Sequence, residues 1–187
     1  MSTWRPTDDP LVGLTDDQRL ADAIAERAGQ RDLTARATEM ATMAGTLRDL
    51  AERHAGIIVT TTSGRAYQGS ALGVSADHLV LATGAGQRVF ARLDAVSVVR
   101  PDPTARAPLA QGERDPAQDV LLLERCARWV ADRPVVALAV TGAADLLRGR
   151  LLAVAEDLVT VALDGSRSPV YVAADRIEVV ALEQVVR

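Results

Sequence analysis

Few side chains in this chain can do chemistry. Its two His, His54 and His78, and its single Cys, Cys126, are the natural candidates for base, nucleophile or soft metal ligand. His54 falls at the expected end of a helix, where a cation or a hydrogen-bonding ring is favourable. His78 follows Asp77 in a turn, but neighbours on a strand point to opposite faces, and neither a third partner nor an oxyanion element accompanies the pair. Cys126 stands in a helical stretch rich in Leu and Val and reads as a small core residue. Thr83-Gly-Ala-Gly86 opens no helix, so it reads as a hairpin loop and not as a phosphate cradle. All 21 basic residues are Arg, which removes Schiff-base chemistry and P-loop phosphate binding through Lys, and Asn is absent too. The expectation is a protein that is not an enzyme, with no catalytic residues, no metal and no cofactor.

Binding chemistry has a narrower base. The 187 residues carry a formal charge of −4 and only 3% aromatic residues, so neither a global field nor a broad stacking platform draws nucleic acid. Charge is uneven along the chain. Residues 56–101 hold Arg65, Arg88, Arg92 and Arg100 against Asp77 and Asp94, a net of +2, whereas five Arg and seven acids give 134–187 a net of −2. Single-stranded RNA, if bound, would meet Arg65, Tyr67, Arg88, Phe90, Arg92 and Arg100, with the arginines on phosphates and the rings on bases. Ordinary solvated rim arginines are the simpler account of the same residues.

The elements that must position these groups follow from pattern and punctuation. Residues 1–14, with Pro6, Pro10 and Gly13, read as a flexible tail. Thr15-Asp-Asp-Gln18 has the form of a capping box opening a helix that Gly29 ends. A second helix is expected over about 33–54, with Leu33, Met40, Met43, Leu47 and Leu50 on a narrow, heptad-like stripe. Strands are expected at 57–62, 66–74, 78–83, 87–92 and 95–99, completing a first unit over 15–101. Residues 102–115 form a Pro-rich linker, and Asp115-Pro116 starts a helix leading into a second β-rich unit, 116–187.

The two β-rich stretches align. Gly69-x-x-Leu72-x-Val74-x-x-Asp77 recurs as Gly149-x-x-Leu152-x-Val154-x-x-Asp157, and Phe90 then matches Tyr171 and Val98-Val99 matches Val179-Val180. Gly69 and Gly149 sit inside strands, where a missing side chain permits a sharp bend. Asp77 and Asp157 follow at tight turns, and the Leu/Val pairs are expected to face the core.

Gly64-Arg-Ala-Tyr-Gln68-Gly69 through Leu81, then Gln87-Arg-Val-Phe90 and Val96-Ser-Val-Val-Arg-Pro101, resembles the Sm fold, most closely its bacterial Hfq branch. The resemblance implies a mainly β (α+β) chain of two tandem five-stranded Sm-like or SH3-like small barrels, each preceded by an α-helix. It further implies edge-to-edge self-association into a dimer or ring, with RNA binding as an Hfq-like post-transcriptional regulator. The departures weigh against RNA. Asp77 or His78 stands where the family places a base-contacting Asn, and only Arg92 falls near the family's Lys-His pair. The expected function is a non-enzymatic interaction and assembly module that binds itself or another protein, with RNA binding through the first barrel as the alternative. One Cys and no membrane-length apolar run lead to the expectation of a cytoplasmic protein away from the membrane.

Overall fold

A computed structural model describes residues 10–103 and 119–183. Of the tail expected over 1–14, residues 1–9 lie outside the described residues, as do most of the expected linker and the helix start at Asp115-Pro116, while 10–14 are helical.

The strands form where β-branched residues cluster between turn formers. They are β1 (Gly56–Thr61), β2 (Ala66–Val74), β3 (His78–Ala82), β4 (Arg88–Arg92) and β5 (Val96–Pro101), then β6 (Val135–Val140), β7 (Leu147–Val154), β8 (Leu158–Leu163), β9 (Val170–Ala173) and β10 (Ile177–Leu182). Gly64, Gly86, Gly142 and Gly165 take positive φ in the loops between them, a conformation that a Cβ disfavours.

All ten strands belong to one antiparallel sheet, in the order β5-β1-β2-β3-β4-β10-β6-β7-β8-β9. This overturns the expected pair of separate five-stranded barrels, and with it the Sm-like and Hfq-like resemblance and the tandem-barrel description. No pairing closes either half on itself among the described residues. Instead β4 pairs with β10, Ala91 opposite Val179 and Phe90 opposite Val180, fusing the halves into one open sheet. The physical reason is that an edge strand offers generic backbone donors and acceptors. Alternation along a strand says which face is buried but not which neighbour the edge will take. What the halves share is strand order and register: Val59 and Thr60 oppose Val99 and Val98, as Leu138 and Ala139 oppose Val180 and Val179.

Gly69 and Gly149 are required by close approach. A Cβ at either would run into the carbonyl of the adjacent strand, that of Ala82 or Ala162. Just beyond each glycine a bulge breaks the register, between Ala71 and Gly73 and between Leu151 and Ala153. The bulge corrects the expected facing of these strands. Ala71 and Leu151 are the buried residues, while Leu72 and Leu152 are only half-buried.

The helices also differ from expectation. One helix, α1 (Pro10–Glu39), runs straight through Gly29, and its Leu20, Ile24 and Leu33 are exposed. A break at 40–42 then precedes α2 (Met43–Glu52), so Met40 does not join a continuous seam with Leu47 and Leu50, and Met43, at the start of α2, is exposed. Thr42 caps α2, its Oγ1 accepting from the Gly45 N–H at 3.0 Å. His54 ends α2 through its backbone. It adopts φ 50°, while its N–H and that of Ala55 bond the carbonyls of Ala51 and Leu50 in the helix-terminating arrangement usually built on Gly.

Two apolar clusters lie against the sheet. Leu47, Leu50 and Ala51 of α2 pack with Ile57, Val59, Leu79 and Leu81, and this cluster reaches across the joint to Ala139 and Val179. Leu122 and Cys126 of α3 (Leu122–Trp129) pack with Val136, Leu138, Leu151 and Val161, and this cluster takes Phe90 from the first half. Each core therefore borrows residues across the β4·β10 joint, which ties the halves together by apolar burial as well as by the ladder.

Candidate functional site

The joint between halves is where polar chemistry is most concentrated. Glu178 lies in β10 between Ile177 and Val179 and is buried. Its carboxylate accepts from Thr62 Oγ1 at 2.8 Å and Ser63 Oγ at 2.6 Å, both in the β1–β2 loop, and from Thr141 Oγ1 of its own half at 3.1 Å. Burial disfavours its charged form, but the hydroxyls of Ser63, Thr62, Thr61 and Thr141 outweigh that and hold its pKa below the usual carboxylate range. Alongside, Arg65 Nη2 donates to the carbonyls of Ala143 and Ala144 in the β6–β7 loop. Two loops, one from each half, are thus pinned together around one anion.

A second cluster anchors α3. Asp77 Oδ1 accepts from the Leu122 N–H at 2.9 Å, satisfying an orphan donor at the helix start, and lies 2.8 Å from His78 Nδ1. Asp77 stands in the turn before β3 and not on the strand, so the sequence expectation that the pair diverges is corrected. His78 is fully buried and tilted against Phe90, with ring centroids 5.9 Å apart. Arg125 Nε approaches His78 Nε2 at 3.1 Å. Arginine can only donate, so Nε2 must accept and Nδ1 must carry the proton that Asp77 receives. Burial opposes ionisation of Asp77, yet hydrogen bonds from His78 and Leu122, with the field of Arg92, bring its pKa down. No group of three or more metal-ligating side chains occurs among the described residues.

The residues singled out for RNA do not converge on one surface. Phe90 is buried and packs at a tilt of 55° against Trp129, with ring centroids 4.9 Å apart. Tyr67 is half-buried against the first core, and burial raises its phenol pKa despite Arg65 nearby. Arg65 is spent on the joint. Arg92 pairs with Asp94 at 2.7 Å, while Arg88 and Arg100 are exposed on β4 and β5. The Hfq-like regulatory reading therefore falls with the barrels that were its basis. Asp77 and Asp157 do occupy equivalent turns, their carbonyls accepting from the N–H of Leu93 and Ala174. Cys126 is buried, and burial first, then the field of Asp77, pushes its thiol up to about 12.

Sequence reasoning missed Glu178, Thr62, Thr141 and Arg125. One signal for Glu178 was present: a lone carboxylate in the apolar run Ile177-Glu-Val-Val180, which is costly unless partnered. Nothing local pointed to its partners, two of which lie more than a hundred residues upstream.

The remaining feature is the pair of sheet edges, β5 and β9, which pair with no further strand among the described residues. Phe90 on β4 is 4% exposed and Val179 on β10 is 0%, but their register equivalents on the free edges, Tyr171 and Val98, are 65% and 46% exposed. No helix among the described residues is long and apolar enough to cross a membrane. Comparison of the chain with protein-family models and with curated proteins returns no match.

Proposed function

We propose that this chain is a non-enzymatic structural subunit that joins copies of itself head to tail through its open sheet edges, β9 of one copy against β5 of the next. The observation that carries the proposal is the contrast between the internal joint and the free edges. Where β4 meets β10, Phe90 and Val179 are buried; where β9 and β5 meet nothing among the described residues, Tyr171 and Val98 at the same register positions are exposed. Transferring the β4·β10 register to the free edges sets Val98 opposite Val172, Val99 opposite Tyr171 and Arg100 opposite Val170. Pro101 and Pro169 would then face each other and stop the ladder, since neither has an N–H to donate. So short a ladder supports reversible association. Because two different surfaces meet, the contact is heterologous, and repeated application gives a ring or a filament.

Sedimentation velocity of the full chain across a concentration series tests this. Mass should rise with concentration above that of the 19.8 kDa monomer, and Tyr171→Lys should return it to the monomer. A Val99→Cys/Tyr171→Cys double variant should form a disulfide-linked ladder under oxidation, whereas neither single variant should. A monomer at every concentration would overturn the proposal. Cross-linking by Val99→Cys alone would indicate a two-fold β5·β5 dimer and overturn the head-to-tail arrangement.

A further inference from the structure

The two halves are covered unequally. In the first, Leu47 and Leu50 of α2 are fully buried and close the core. In the second, α3 is a shorter helix, and between it and the sheet lies a largely enclosed cavity of about 200 Å³. Its apolar lining includes Leu122, Cys126, Leu138, Leu151, Val159 and Val180, and its charged residues are Asp77 and Arg92. Both charged side chains are part-exposed, which places them on the solvent side. A dry apolar cavity of roughly 150 Å³ suffices to take up benzene, so this one has room for a single ring with a substituent.

The polar side of the cavity restricts the substituent. Asp77 Oδ1 is already used by His78 and Leu122, but Oδ2 carries no hydrogen bond among the described residues. Arg92 directs three of its five N–H groups elsewhere, Nε and Nη2 to Asp94 at 3.1 and 2.7 Å and Nη1 to the Ala174 carbonyl at 3.4 Å. The open position on Asp77 is an acceptor, which a ligand meets with a donor; a hydroxyl, which both donates and accepts, suits Asp77 and the remaining N–H groups of Arg92 together. The two charged lining residues, Asp77 and Arg92, are of opposite sign, which leaves no net charge in the lining to attract an ion. Cys126, with its raised thiol pKa, is no nucleophile at neutral pH, so binding is non-covalent.

We infer that the cavity under α3 is a binding site for a small neutral molecule of about one ring, apolar over most of its surface and carrying one hydroxyl that donates to Asp77 Oδ2. The site is independent of the sheet edges, so its fate does not depend on self-association.

The test is methyl NMR on the full chain with ¹³C-labelled Leu and Val, titrated with benzyl alcohol, toluene and benzoate. Benzyl alcohol should shift the methyls of Leu138, Leu151, Val159 and Val180 saturably and bind about tenfold tighter than toluene, the difference expected of one hydrogen bond to a carboxylate. Benzoate should not bind. Cys126→Leu, which fills the space from the helix side, should abolish binding of both neutral probes, and Asp77→Asn should erase the preference for the alcohol. Because Asp77→Asn also weakens the hold on α3, Cys126→Leu gives a second, independent reading. The inference is overturned if no methyl shifts at millimolar probe, if toluene binds as well as benzyl alcohol, or if Cys126→Leu leaves the affinity unchanged.

Discussion

Replacing Glu178 by Gln removes the charge at the joint between the halves while keeping the length of the side chain. In the native protein three hydroxyls donate to this carboxylate at 2.6 to 3.1 Å. Hydrogen bonds to a charged group contribute about 1.5–3 kcal/mol each and neutral ones about 0.5–1.5. Each bond that survives to the Gln carbonyl is therefore weakened by about 1 kcal/mol, and Ser63, which faces Oε2, must turn to accept from an amide. Relief of the buried charge offsets part of this, because desolvating a carboxylate is itself unfavourable. The net expectation is a loss of about 1–2 kcal/mol at pH 7, or roughly 2–8 °C in Tm for a chain of this size. The pH dependence separates a hydrogen-bonded anion from simple packing. The folded pKa of Glu178 lies below its ordinary 4.5, so the stabilisation is complete above that value and is lost as pH falls through the folded pKa. The gap between wild type and Glu178→Gln, read by urea unfolding at a series of pH values, should be widest near neutrality and shrink below about 4.5. A cycle with Ser63→Ala should show coupling of about 1 kcal/mol between residues 115 positions apart. A gap below about 0.5 kcal/mol, or one that does not vary with pH, would refute the account of the joint.

Other substitutions test other parts of the fold. Gly69→Ala and Gly149→Ala each drive a methyl into a backbone carbonyl of the neighbouring strand, and each should cost at least about 2 kcal/mol in chemical unfolding; a cost below 1 would mean that the strands can part freely. His54→Gly should raise stability by about 0.5–1 kcal/mol, because φ 50° is unfavourable for a side chain and harmless to Gly. Thr42→Ala should lower it by about 1 kcal/mol through loss of the α2 cap, with Thr42→Ser retaining most of it. The Cys126 thiol should resist iodoacetamide at pH 8 in the folded protein and react once the chain is unfolded in urea; rapid labelling of the native state would contradict its burial and raised pKa.

Several elements were legible from local pattern. The strands fall within a residue or two of the segments read from β-branched runs and turn formers, and Gly69 and Gly149 were marked as positions needing no side chain. Helix limits were less legible. Gly29 sits inside α1, since a single Gly in a helix costs only about 1 kcal/mol against Ala and so need not end it. The facing of Leu72 and Leu152 was missed because a bulge adds one residue and reverses the alternation beyond it. For Asp77-His78 the divergence of strand neighbours does not apply, because Asp77 stands in the turn before β3.

Where the backbone could extend, where it had to turn and which side chains needed burial are carried by the order of amino acids alone, because each of those depends on a residue and its near neighbours. That β4 takes β10 as its neighbour, giving one open sheet of ten strands in place of two barrels, emerges only when the whole chain has folded. That choice joins residues about 90 positions apart through backbone groups that every residue carries, so no local pattern encodes it. The same long-range choice brings Thr62 and Ser63 to Glu178, sets Asp77 under the first turn of α3, and leaves β5 and β9 as the edges on which the proposed assembly depends.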